Sequence, residues 1–257
     1  MDRYCSNSSP RANAPDYVKV NTTMPRMETA MGNQPINVMV VDDHTMVRRG
    51  IRVFLDEYED IFVIGEAADG VKAVELVEEI KPDVVLVDLL MPGMDGIETI
   101  SRILAIQPDL HILVLTASIQ DEKFLLAIQA GALGYLKKDA TPEELVESIQ
   151  KVHAGKPAID PAMAWRVLHG GSDVETANPI EVKLSNRETE VLRLLTEGHT
   201  DHEIAKLLFV TDVTVRTHVA RILMKLGLKN RVQAVLYGLR TGVAELEAAK
   251  VWDEDID

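Results

Sequence analysis

Cysteine is nearly absent from this 257-residue chain. Cys5 is the only one, so an intrachain disulfide is excluded. Long hydrophobic runs are missing too: no apolar stretch approaches the roughly 18 residues that a membrane-spanning helix needs. The N-terminus lacks the basic, then apolar, then small-residue order of a secretory signal. These absences point to a cytoplasmic protein with no membrane partner. Basic residues are scarce, 27 against 41 acidic ones, for a net charge of −14. Taken whole, that balance disfavours a nucleic-acid binder, but its distribution does not. Residues 36–155 hold 10 basic and 22 acidic residues, residues 182–243 hold 10 and 6, and residues 244–257 hold 1 and 6. A mildly basic segment is hidden between an acidic domain and an acidic tail.

Residues 1–35 are rich in Ser, Asn, Pro and Met without periodicity, the pattern of a disordered extension. Met24, Met27 and Met31 leave the start of translation open. From Ile36 onward apolar runs alternate with amphipathic stretches. The runs are Ile36–Val41, Ile61–Ile64, Val84–Val87, His111–Leu115 and Gly134–Leu136. Helical patterns fall near Thr45–Leu55, Gly70–Ile80, Ile97–Ile106, Asp121–Ala130 and Pro142–His153. A β-α repeat taken five times, with near-continuous apolar strands, predicts an α/β fold with a doubly wound five-stranded parallel sheet over residues 36–155.

Gly and Pro punctuate residues 156–183, which read as a linker with a short helix at Pro161–Leu168. Beyond it every predicted element is helical: Asn186–Glu197, Asp201–Leu208, Asp212–Leu226 and Asn230–Thr241. Residues 184–243 thus form an all-α four-helix domain, and 244–257 an acidic C-terminal tail.

In a parallel sheet the reactive groups gather at the carboxyl ends of the strands. Asp42 and Asp43 end the first strand, Asp88 the third and Thr116 the fourth, while Lys138 follows the fifth. Three clustered carboxylates need a cation, and an all-oxygen donor set suits Mg²⁺. Asp88 beside such an ion can attack an in-line phosphorus and form an acyl phosphate. Lys138 and Thr116 would stabilise charge on the transferring oxygens.

The motifs Val40-Val41-Asp42-Asp43-His44, Val87-Asp88-Leu89-Leu90-Met91-Pro92-Gly93, Leu115-Thr116-Ala117 and Gly134-Tyr135-Leu136-Lys137-Lys138-Asp139 resemble the receiver domains of two-component response regulators, which are flavodoxin-like. The resemblance implies that Asp88 takes a phosphoryl group from a sensor histidine kinase. It implies Mg²⁺ bound by Asp43, Asp88 and the Leu90 backbone carbonyl, with Asp42 acting directly or through water. Lys138 is preferred over Lys137 as the site lysine because it directly precedes Asp139, and Lys137 stays open as the alternative. Thr116 and Tyr135 are the implied switch pair: the hydroxyl moves toward the phosphate and the ring rotates from exposed to buried. Leu90 and Ser118 stand where the family's variable residues flank the phosphate, and Leu90 cannot orient an attacking water, so slow self-dephosphorylation is expected.

Ser185 and Glu188 are spaced as a capping box. Two short helices joined by Phe209-Val210-Thr211, the second longer and amphipathic, describe a helix-turn-helix. Glu188-Thr189-Glu190-Val191-Leu192, Thr214-Val215-Arg216-Thr217-His218-Val219 and Lys225-Leu226-Gly227 resemble the LuxR-type output domain. Together with the receiver, the chain resembles a response regulator of the NarL/FixJ type. The likeness implies a third helix in the major groove of promoter DNA, with Arg216, Thr217 and Ala220 toward bases and Thr214, Arg221, Lys225 and Arg231 toward phosphates. Ala220 stands where relatives often carry a lysine. Asp201-His202 and Thr211-Asp212-Val213 supply few cations, so reliance on dimer binding is expected. His218 and the pair His199 and His202 lack further ligands at metal spacing.

The resemblance implies a transcription regulator, not an enzyme. Phosphorylation would promote homodimerisation, release of the helix-turn-helix from a covering receiver, or both, with RNA polymerase as a further candidate partner. The dimer surface is open between receiver faces and the last helix. An aspartate-dependent phosphatase would need a carboxylate at position 90, where Leu90 stands. A receiver-containing adaptor acting through protein partners remains the alternative.

Overall fold

The computed structural model describes residues 18–19, 35–117, 121–159 and 184–243. The short helix expected at Pro161–Leu168, Ser118 and the acidic tail lie outside them. Strands β2 (Ile36–Val41), β3 (Ile61–Ala67), β4 (Val84–Asp88), β5 (His111–Thr116) and β6 (Gly134–Lys137) are the five expected ones. Helices α1 (Thr45–Leu55), α2 (Gly70–Ile80), α3 (Gly96–Ile106), α4 (Asp121–Ala130) and α5 (Pro142–His153) connect them in alternation. Two short edge strands were not foreseen. β1 (Val18–Lys19) lies in the stretch read as disordered and pairs antiparallel with β3, while β7 (Ala158–Ile159) pairs parallel with β6. The sheet order is β1-β3-β2-β4-β5-β6-β7, and β2 to β7 are all parallel.

The β4 run Val84–Val87 is fully buried because helices cover both sheet faces. Residue choice at the helix starts is equally explicit. Asp69, Asp95 and Thr141 cap α2, α3 and α5 by accepting from backbone N–H groups three residues on, and Thr141 with Glu144 forms a capping box.

The C-terminal part comprises α6 (Asn186–Thr196), α7 (Asp201–Leu208), α8 (Asp212–Leu226) and α9 (Arg231–Thr241). They enclose a separate core of Val191, Leu192, Leu195, Ile204, Val215, Ile222 and Ala234. Ser185 and Thr200 complete capping boxes with Glu188 and Glu203. Phe209 ends α7 in the left-handed region at φ +54°, and Thr211 then caps α8, which makes the tight turn. The receiver holds this unit at the start of α9, where Asn230 Nδ2 donates to the Ile128 carbonyl and Val232 packs into the receiver core, and at α7, where Glu203 pairs with Lys156 at 3.1 Å. Among the described residues no helix is long and apolar enough to cross a membrane.

Candidate functional site

Strand register brings the acidic residues together. Val41 lies opposite Val87, Asp88 opposite Leu115, and Thr116 opposite Lys137, so the strand ends carrying Asp42, Asp88, Thr116 and Lys138 stop at one level. The Lys138 backbone N–H donates to the Thr116 carbonyl at 2.8 Å, which fixes where its side chain starts. Its ammonium then lies 2.7 Å from both Asp42 Oδ2 and Asp88 Oδ2. Burial works against the ammonium's charge, but hydrogen bonds to Asp42 and Asp88 outweigh it and hold the Lys138 pKa above the ordinary lysine value. Lys137 is exposed at the end of β6, so of the two lysines Lys138 is the one at the cluster.

Asp42, Asp88 and Thr116 are buried. Asp43 is partly exposed at the mouth. Asp42, Asp43, His44 and Asp88 each present one ligand atom within 4.8 Å of the others, the one such cluster among the described residues. Three carboxylates meet one ammonium, which leaves an excess of negative charge and an oxygen-rich donor set that fits a divalent cation. His44 lies exposed beside them. Its Nδ1 lies 2.6 Å from Asp43 Oδ1.

Two buried charges next to this site escaped the sequence reading. Arg48 donates to the Asp42 carbonyl at 2.6 Å, and its Nε lies 3.6 Å from Glu66. The pair braces the end of β2 from behind. An arginine at the fourth position of an amphipathic helix offers no sign in sequence that it will point inward.

The loop after Asp88 depends on a missing side chain. Leu90 N–H donates to Asp88 Oδ1 at 3.3 Å, and Leu90 itself is 46% exposed beside the carboxylate. A Cβ on Gly96 would stand 2.2 Å from the Asp88 carbonyl oxygen and 2.6 Å from Leu89 Cα, both rigid backbone. Gly96→Ala must therefore displace Asp88. The expected result is a receiver destabilised by about 1–3 kcal/mol and slower labelling by acetyl phosphate, read by thermal unfolding and phosphate-affinity gels.

Tyr135 departs from expectation. The resemblance implied a ring that starts exposed, yet it is 3% exposed, edge-on to Phe124 with centroids 5.2 Å apart. That edge-to-face contact, supplied by α4, favours the inward rotamer. Thr116 is buried close by, at the end of the adjacent strand.

On the C-terminal domain, α8 buries Val215 and Ile222 and leaves Val213, Arg216, Thr217, Ala220, Arg221 and Met224 exposed. Nothing among the described residues covers this outer face, the receiver included. Thr214 is half-buried and shares a 2.9 Å hydrogen bond with Thr211 at the helix start. Two residues assigned to phosphates sit in internal pairs instead. Lys225 bonds to buried Glu188 at 2.6 Å. Arg231 pairs with Asp201 at 2.5 Å, also donates to the His199 carbonyl, and has a largely buried side chain. The two share a cause: a cation near an acidic helix start finds a partner inside the domain. His202 Nδ1 likewise lies 3.3 Å from Asp212.

Both domains match families of known proteins. The model of the response regulator receiver domain matches residues 38–150, and that of the bacterial regulatory proteins, luxR family, matches residues 182–237. The chain is similar to the transcriptional regulatory protein LiaR of Bacillus subtilis (strain 168), 44% identical over 209 residues that span 80% of this chain and 97% of that protein. It is also similar to the response regulator protein VraR of Staphylococcus aureus (strain NCTC 8325 / PS 47), 36% identical over 205 residues, 80% and 97% of the two chains. Among solved structures, a two-component response regulator of the LuxR family from Aurantimonas sp. SI85-9A1 aligns with a TM-score of 0.51 and 36% identity, over 53% of this chain and 98% of that one.

Proposed function

The chain belongs to the two-component response regulators that join a receiver to a LuxR-type DNA-binding domain, and from that premise we propose that Asp88 accepts a phosphoryl group from a sensor histidine kinase and that its occupancy governs promoter binding through α8. The observation that carries the reading is the Lys138 ammonium 2.7 Å from both Asp42 and Asp88, at strand ends that also carry Asp43 and Thr116.

Asp88 presents the nucleophilic carboxylate. Lys138 holds a positive charge where the transferred phosphoryl oxygens arrive, and the Thr116 hydroxyl donates to one of them. Asp42, Asp43, Asp88 and the Leu90 carbonyl are the groups that would hold Mg²⁺, which when bound supplies charge neutralisation at the phosphoryl group. Leu90 contributes no hydrogen-bonding side chain to guide water, so the phosphoprotein persists from minutes to hours. Loss of label from the isolated phosphoprotein within seconds would overturn that point.

Arg216, Thr217 and Ala220 face bases, and Arg221 with Thr214 faces phosphates; Lys225 and Arg231 chiefly hold the domain together. With few free cations on the reading face, stable occupancy requires two copies on adjacent half-sites, so phosphorylation acts by promoting homodimerisation. Mobility shift on mixed genomic fragments, with and without acetyl phosphate, tests the reading. Phosphorylation-dependent retardation supports it, while a folded, phosphorylated protein that retards nothing favours a protein-binding adaptor.

A further inference from the structure

Arg216 is exposed on the outer face of α8, yet it does not stand alone. Its Nε lies 3.5 Å from Asp201 Oδ2 on the first turn of α7. The other oxygen of that carboxylate, Oδ1, is held at 2.5 Å by Arg231, whose guanidinium also donates to the His199 carbonyl. One carboxylate thus divides between two arginines, and the inner one is clamped by buried surroundings. Asp201 is a fixed support, and Arg216 leans on it.

The direction of that contact has a chemical consequence. A guanidinium has two hydrogen-bonding edges, one through Nε and one through the terminal pair Nη1 and Nη2. Asp201 lies on the Nε side and the Arg216 side chain is 73% exposed, which leaves the terminal pair available to a base. Two parallel N–H groups presented end-on match the O6 and N7 acceptors of guanine in the major groove. Thr217 and Ala220, the exposed neighbours on the same face, offer no charge to compete with this contact. The nearby Asp212 carboxylate, which could have drawn Arg216 along its own helix, lies beside His202 at 3.3 Å.

We infer that Asp201 is a positioning residue for DNA sequence readout, presenting Arg216 to a guanine and so setting the base preference at one operator position. This rests on the reading of α8 as the recognition helix, and it adds a residue from a different helix that touches no base. Its signature is a separation of two quantities that usually move together. Removing the Asp201 charge should leave general DNA affinity unchanged or tighter, because a negative charge near phosphates is lost, while preference for guanine falls.

The test is selection from a random-sequence duplex library by the full-length phosphorylated protein, followed by titration on the selected duplex and on a scrambled one. Wild type is expected to show a guanine column with a preference of about tenfold or more, which Arg216→Ala erases. Asp201→Asn and Asp201→Ser should relax that same column to about twofold while the scrambled duplex binds at least as well. The double variant Asp201→Asn with Arg216→Ala should match Arg216→Ala. If Asp201→Ser loses its helical circular dichroism, Asp201→Asn decides, since its side-chain oxygen still accepts from Arg231. An unchanged guanine column in a folded Asp201→Asn overturns the positioning role while leaving α8 as the reader. An Arg216→Ala protein that keeps every column overturns both.

Discussion

Replacing Asp88 with alanine is expected to abolish phosphoryl uptake, not merely slow it. Wild-type protein incubated with acetyl phosphate and Mg²⁺ should gain a retarded band on a phosphate-affinity gel, and Asp88→Ala should gain none over the same hours. The carboxylate is the atom donor of the new bond, so no neighbour substitutes for it. Lys138→Met is the graded counterpart. It keeps the nucleophile but removes the charge 2.7 Å away, and labelling should fall by roughly 10²–10³-fold. The two variants should separate on stability as well. Asp88→Ala relieves repulsion among Asp42, Asp43 and Asp88, so its melting temperature should match or exceed wild type. Lys138→Met leaves two buried carboxylates facing each other without their ammonium, at a cost of about 1–3 kcal/mol. A labelled Asp88→Ala protein would sink the assignment outright.

The largest stability effect should come from the DNA-binding unit. Glu188 is buried beneath α8. The Lys225 hydrogen bond, then the Ser185 backbone N–H, outweigh the opposing effect of burial and hold its carboxyl down to about 2. A folded-state pKa below the unfolded one stabilises above the unfolded value and loses that contribution as pH falls. The loss should therefore run from about pH 5 down to about pH 2. Because the Lys225 ammonium is partly exposed, solvent screening trims the contribution to about 2 kcal/mol. Lys225→Met strands the buried carboxylate and should lower stability by about 2–4 kcal/mol at neutral pH. Glu188→Gln should flatten the acid limb between pH 5 and pH 2. Chemical denaturation of the wild type and both variants, across that range, checks the sign and the window. An acid limb unchanged in Glu188→Gln would assign the titration elsewhere.

The fold was readable because its apolar runs are strict. Val84–Val87 has no polar residue to break it, and Ser185 with Glu188 marks a helix start that the structure reproduces. The acidic cluster was readable for a related reason: strand ends in a parallel sheet share a level, so four sequence-distant residues could be placed together without coordinates. What escaped were pairings between charges far apart in the chain. Lys225 and Glu188 are 37 residues apart, and Arg231 and Asp201 are 30. A basic residue near a recognition helix reads as a phosphate contact until its internal carboxylate is seen. Arg48 against Glu66 is the same case inside the receiver. The Tyr135 ring needed its neighbour Phe124 to be located before its rotamer could be known. The strand at Val18–Lys19 is too short for any periodicity to register.

A DNA-binding face that nothing among the described residues shields is governed by how many copies are present. The receiver grips the start of α9 and leaves Arg216, Thr217 and Ala220 open to solvent. Crowding the cell with unmodified protein should then partly mimic the signal, by driving promoter occupancy through mass action. A circuit built this way has a dosage threshold, and its basal output is set by the rate at which the cell makes the protein.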